Sequence, residues 1–94
     1  MSDIIQKAVD VLAARVPSFD GSAKFVIEGE GAIVLDNAGV RAGDEDTDVT
    51  LTASAETFQG LIEGDVNPTM AFMQGKLKID GSMGQAMKLA SVLG

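Results

Sequence analysis

Residues 24–36, Lys-Phe-Val-Ile-Glu-Gly-Glu-Gly-Ala-Ile-Val-Leu-Asp, form a pattern of two short strands joined by a Gly-Glu-Gly reversal. In the first strand the apolar Phe25 and Ile27 are two positions apart between the charged Lys24 and Glu28, and Ile33 and Leu35 are expected to face the same way in the second. Residues 40–42 and 48–53 continue the strand pattern after turns that contain Gly or Asn. The stretch therefore predicts an antiparallel meander with one polar face.

Helical patterns flank this meander. One helix is predicted over residues 3–15, a second over 55–63 after a Ser cap, and a third over 69–74 after Asn67-Pro68. Residues 76–80 return to strand alternation, and a Ser-x-x-Gln capping box at 82–85 begins the last helix. The apolar side of that helix carries Met83, Ala86, Met87, Ala90 and Leu93. The order α-β-β-β-β-α-α-β-α predicts one α+β domain over residues 1–94, with helices on one face of the sheet.

The composition disfavours catalysis and metal binding. The 94 residues include no His, Cys, Trp or Tyr, so the chain has no imidazole base, no thiolate and no His or Cys ligand for a metal. The acidic residues 44–48 begin like a calcium-binding EF-hand loop. However, Val49 stands where the loop needs Gly, and Ala55 stands where it needs a bidentate Glu. We therefore expect no catalytic residue, no metal site and no cofactor.

Charge is unevenly distributed along the chain. Residues 1–65 hold four basic and 13 acidic residues, whereas residues 66–94 hold three lysines and one Asp, within a net charge of -7. Such an acidic body argues against nucleic-acid binding. Lys76, Lys78 and Lys88 either form a solvated surface or receive phosphate groups. Because no signal-peptide pattern and no membrane-length apolar run is present, a cytoplasmic location is expected. A monomer is expected as well.

Methionine is concentrated near the C-terminus. Four of the five methionines occupy positions 70, 73, 83 and 87. Met side chains fill irregular gaps in cores, and they also line pliable apolar cavities that accept varied ligands. Both interpretations stay open from the residues alone.

Residues 64–93 contain an ordered set of elements: Pro68, Ala71-Phe72-Met73, Gly75-Lys76-Leu77-Lys78-Ile79, Gly81, Met83 and Lys88-Leu89. In this order they resemble the sterol carrier protein type-2 family. The resemblance implies a compact bacterial-type member in which helices close over one face of a five-stranded, mostly antiparallel sheet. It also implies an apolar tunnel that takes up and transfers a fatty acid, fatty acyl-CoA, isoprenoid or sterol-like lipid without bond chemistry.

The predicted lipid site lies between the inward face of the sheet and the later helices. Its residues are Phe25, Ile27, Leu51, Phe58, Ile62, Met70, Met73, Leu77, Ile79, Met83 and Met87. The expected partners are a long-chain lipid and, transiently, a membrane surface or an enzyme. The alternative hypothesis is an interaction module that serves a lipid-metabolising enzyme and binds no ligand of its own.

Overall fold

The computed structural model describes residues 3–16 and 19–93, apart from the side chains of residues 3, 92 and 93. The elements are α1 (Asp3–Arg15), β1 (Ser22–Ile27), β2 (Gly31–Asp36), β3 (Gly39–Ala42), β4 (Val49–Ala53), α2 (Ala55–Glu63), α3 (Pro68–Met73), β5 (Leu77–Gly81) and α4 (Met83–Leu93). The predicted order of elements is confirmed. The predicted position of the Leu93 side chain lies outside the described residues.

The sheet topology corrects one prediction. Its strand order is β3-β2-β1-β4-β5, and β1 pairs with β4 in parallel while the other three pairs are antiparallel. The sheet is therefore mostly antiparallel, as expected, but it is not a meander, because β4 lies beside β1 and not beside β3. Alternation of apolar and polar residues specifies the face that a side chain takes, and it carries no information about which strand lies alongside.

The segment between β3 and β4, residues 43–48, crosses the outer face of the sheet, which is the face opposite the helices. The Gly43 N–H donates to the Ala32 carbonyl at 3.1 Å, and Lys24 Nζ lies 2.7 Å from an Asp44 carboxylate oxygen. Val34 lies against Gly43 and is buried, although it belongs to the predicted polar face. The crossing segment thus covers an apolar side chain that alternation alone assigns to solvent.

Arg41 on β3 ties the crossing segment to the sheet. Its guanidinium lies 3.0 Å from a Glu45 carboxylate oxygen and 3.1 Å from an Asp36 carboxylate oxygen. The hydrogen bond from Arg41, supported by the Ala38 N–H, lowers the pKa of the Asp36 carboxyl below its ordinary value. The Asp36 carboxylate therefore stays ionised at neutral pH and helps to hold the guanidinium on the outer face.

The inner face is apolar and bears the helices. Strand register aligns Ile33, Phe25, Leu51 and Ile79 in one row across β2, β1, β4 and β5. The Phe25 ring packs on Phe58 of α2 with ring centroids 5.2 Å apart and planes tilted by 60°, a favourable aromatic geometry. Phe25 therefore links the sheet to the helical layer.

Local capping positions the last two helices. The Asn67 side chain accepts hydrogen bonds from the N–H groups of Thr69 and Met70 at 2.9 and 3.2 Å, as the Asn-Pro pattern predicts. Ser82 Oγ accepts from the Gln85 N–H at 3.3 Å, which forms one half of the predicted capping box. The Gln85 side chain instead lies against Gly21, so the reciprocal half does not form.

Two glycines should respond differently to substitution by alanine. Gly81 has a φ of +107° and faces Val49 in the β4–β5 ladder, where a Cβ would collide with the Asp48 carbonyl oxygen. Gly75 has a φ of +77° and open space around it. We expect Gly75→Ala to cost about 1–3 kcal/mol of unfolding free energy for backbone strain, and Gly81→Ala to cost about 1–3 kcal/mol more for the collision. Chemical denaturation measures both, and equal losses would contradict the register of β5.

Candidate functional site: an apolar cavity between the sheet and helices α3 and α4

A cavity of about 270 Å³ lies between the inner face of the sheet and the helices α3 and α4. Its floor contains Phe25, Leu51 and Ile79, which are the row of side chains that strand register aligns, together with Leu77. Its remaining lining residues are Leu61, Pro68, Thr69, Phe72, Met73, Met83, Ala86, Met87, Leu89 and Ala90. The volume is near the lower end of the roughly 300–1,000 Å³ range of small-molecule pockets.

Large apolar side chains surround the mouth of the cavity and are open to solvent. Met73 is 75% exposed, Met87 60%, Met83 48% and Phe72 42%. Side chains with this exposure do not fill a core. The unbranched Met side chains can change rotamer at low cost, so the mouth can widen without disturbing the buried floor.

The chemistry of the lining is almost entirely apolar. Thr69, in the first turn of α3, supplies the one polar side chain among the described residues that line the cavity. No charged side chain of residues 4–16 or 19–91 lines it. The cavity can therefore remove a hydrocarbon chain from water, and it offers a single hydroxyl for hydrogen bonding.

The described part of the chain contains no metal-binding cluster of acidic residues and no membrane-spanning helix. No group of three or more acidic side chains there is arranged to hold a metal ion. In the crossing segment, Asp44 forms an ion pair with Lys24, and Glu45 forms one with Arg41. No helix among residues 3–16 and 19–93 has the length and hydrophobicity needed to cross a bilayer.

The structure brings seven of the eleven predicted lipid-binding residues together around the cavity. These seven are Phe25, Leu51, Met73, Leu77, Ile79, Met83 and Met87. Ile27, Phe58 and Ile62 instead lie buried outside it, with Phe58 behind Phe25. Met70 lies in a separate groove on the other side of α3. Contact of any of the eleven with lipid remains a prediction.

Several lining residues were not among the predicted ones, and helical periodicity could have identified some of them. Thr69 precedes Phe72 and Met73 by three and four positions on α3, so these three are neighbours on its surface, and Met70 lines a separate groove. Ala86 and Ala90 lie on the apolar side of α4 with the methionines. Pro68, Leu61 and Leu89 carry no sequence signal that separates a cavity wall from a core position.

Two residues of α4 allow the distinction between core and mouth to be tested. Leu89 is completely buried, whereas Met87 is 60% exposed. Leu89→Ala should lower the free energy of unfolding by about 2–5 kcal/mol because it leaves a cavity in the core. Met87→Ala should change it by less than about 0.5 kcal/mol. Urea denaturation measures both variants, and similar losses would place Met87 in the core.

Comparison with known proteins places this fold in a family. The model of the SCP-2 sterol transfer family matches residues 3–94. Hydroxysteroid dehydrogenase-like protein 2 of Xenopus laevis is 40% identical over 98 residues, which cover 96% of this chain and 23% of that protein. This chain therefore spans about a quarter of the length of that relative.

Solved structures agree in fold. The sterol carrier protein domain 2 of Helicoverpa armigera is 31% identical, with a TM-score of 0.71 over 95% of this chain and 81% of that one. The palmitated SCP2L2 of Aedes aegypti is 25% identical, with a TM-score of 0.69 over 99% and 95% of the two chains. On the match over residues 3–94 and on these likenesses, the chain belongs to the SCP-2 sterol transfer family.

Proposed function

We propose that this chain takes up a long apolar lipid in the cavity below α3 and α4 and carries it through water without changing it chemically. The observation that carries the proposal is the apolar cavity itself, with its floor of Phe25, Leu51 and Ile79. Membership in a sterol transfer family supports it, as does the structure of the similar Aedes aegypti protein in its palmitated form. Fatty acids, fatty acyl-CoA, isoprenoids and sterol-like lipids all have an apolar part that suits the lining.

The energetics suit a carrier. Removing about 14 methylenes from water is worth about 11 kcal/mol, at ~0.8 kcal/mol each. Association costs about 4–15 kcal/mol in lost translational, rotational and side-chain freedom. The net affinity should therefore be modest, so that the lipid can leave again. At about 270 Å³ the cavity is small, and we expect Met83 and Met87 to move outward when a long chain enters.

The proposal assigns binding and transfer to this chain, and no catalysis. The lining suits binding, since it has one hydroxyl and no described acid or base with which to transfer a proton. The dehydrogenase-like relative is about four times as long, so any activity of that whole protein would need residues beyond the part that matches. Transient contact of the apolar mouth with a membrane surface, within the cytoplasm, would allow the lipid to be exchanged.

Met83→Asp and Met70→Asp form a matched pair for testing the site. The two methionines are similarly exposed, at 48% and 52%, but Met83 lines the cavity and Met70 lies on the other side of α3. A carboxylate at position 83 would have to be desolvated when the lipid chain enters. We expect Met83→Asp to weaken the binding of a fluorescent fatty acid by about tenfold or more, which corresponds to about 1.4 kcal/mol. Met70→Asp should bind like the wild type.

Fluorescence titration measures the affinities, and circular dichroism verifies that both variants are folded. Equal affinity of folded Met83→Asp and wild type would exclude the proposed site. Absence of saturable binding to the wild type, together with absence of co-purified lipid in native mass spectrometry, would instead favour the interaction-module hypothesis.

A further inference from the structure

We propose that Met73, Met83 and Met87 form an oxidation site through which hydrogen peroxide lowers the affinity of the cavity for lipid. This inference rests on the proposed function and adds a chemical modification that regulates the same site. It follows from the distribution of oxidisable side chains in the protein. The chain contains no Cys, Trp, Tyr or His, and it contains five Met residues. Methionine is therefore the side chain of this protein that peroxide oxidises most readily.

The described methionines are accessible to a small oxidant in water. All four are large apolar side chains with high exposure, and no described methionine belongs to the buried core. Three of them, Met73, Met83 and Met87, line the cavity, and Met70 lines the separate groove beside α3. Hydrogen peroxide can therefore reach each thioether without any opening of the fold, and oxidation changes the cavity mouth while the core packing stays intact.

The reaction transfers one oxygen atom from hydrogen peroxide to the sulfur atom of the side chain. The sulfur lone pair forms the S–O bond as the O–O bond of the peroxide breaks. The proton on the transferred oxygen moves to the departing hydroxide, so the products are a sulfoxide and water. The sulfur is oxidised by the same two electrons that reduce the peroxide. Because the step needs no acid, base or metal from the protein, it can take place at a mouth lined by apolar side chains.

A sulfoxide at the mouth opposes lipid entry because it must lose its water when the hydrocarbon chain covers it. The sulfoxide oxygen is a hydrogen-bond acceptor, and Thr69 supplies the one polar side chain among the described residues that line the cavity. Three sulfoxides would therefore share a single hydroxyl donor. Oxidation replaces flexible apolar side chains by polar ones at the place where the lipid chain is expected to lie. The oxidised protein should therefore hold lipid less tightly.

Met70 provides an internal comparison, because its surroundings are already polar. The groove that it lines also includes Asn67, Gln74 and Lys76. A sulfoxide at position 70 would remain in contact with water and with polar side chains, and under the proposed function it faces no lipid. Oxidation of Met70 should therefore leave the affinity for lipid unchanged.

Titration of a fluorescent fatty acid into untreated and peroxide-treated wild-type protein tests this inference. Peptide mapping by mass spectrometry verifies that Met73, Met83 and Met87 carry sulfoxides, and circular dichroism verifies that the oxidised protein is folded. We expect oxidation to weaken fatty-acid binding by about tenfold or more, because the sulfoxides must be desolvated. Methionine sulfoxide reductases A and B with a dithiol should restore the affinity, since the sulfoxide oxygen leaves as water while the dithiol becomes a disulfide.

Two leucine variants assign the effect to the mouth, because Leu is similar to Met in volume and cannot form a sulfoxide. In the triple variant Met73→Leu/Met83→Leu/Met87→Leu, which keeps Met1 and Met70, the untreated and peroxide-treated forms should have the same affinity. Met70→Leu should lose affinity on oxidation by the same factor as the wild type. Each variant is compared with its own untreated form, so any change that Leu itself makes to binding cancels.

Equal affinity of the oxidised and untreated wild type, with the sulfoxides present and the fold retained, would overturn the inference. Unfolding of the wild type on oxidation would also overturn it, as would a loss in the triple variant as large as in the wild type, because the effect would then arise outside the mouth. The comparison within the wild type needs no variant to fold. Absence of saturable binding to the untreated wild type would instead refute the proposed function.

Discussion

The parallel pairing of β1 with β4 determines how both faces of the sheet are built. It places Phe25 beside Leu51, and the antiparallel pairing of β4 with β5 adds Ile79 to the same row. Because β4 must reach the far side of β1, residues 43–48 have to cross the outer face, where Asp44 and Glu45 meet Lys24 and Arg41. One pairing thus places acidic residues of the crossing segment on one face of the sheet and a continuous apolar row on the other.

The apolar row has two roles, since part of it packs into the buried core and part of it forms the floor of the cavity. Phe58 packs against Phe25, and the two rings belong to a buried core that keeps the floor of the cavity in place. Towards α4, the small Ala86 and Ala90 and the exposed methionines leave space unfilled. A rigid floor below an adaptable mouth suits a protein that must hold apolar molecules of different shapes and then release them.

Much of this arrangement could be predicted from residue patterns, because the signals involved are local. Alternation identified the inward faces of β1, β4 and β5, and Asn67 identified the start of α3. The neighbour of β4 could not be predicted, since alternation is the same for either partner strand. Burial of Val34 depends on that same topology, because the crossing segment lies against it at Gly43. Met70 could not be separated from Met73 by pattern, because residues three positions apart are neighbours on a helix and both are equally apolar, although only Met73 lines the cavity.

NMR of the methionine methyl groups can show whether lipid enters between α4 and the sheet. In protein labelled with carbon-13 at these methyls, Met73, Met83 and Met87 report on the cavity, and Met70 reports on the separate groove beside α3 in the same sample. Titration with a neutral long-chain lipid should shift the signals of the three cavity methionines saturably and leave that of Met70 in place. Equal shifts of all four signals, or a shift of Met70 alone, would contradict the account.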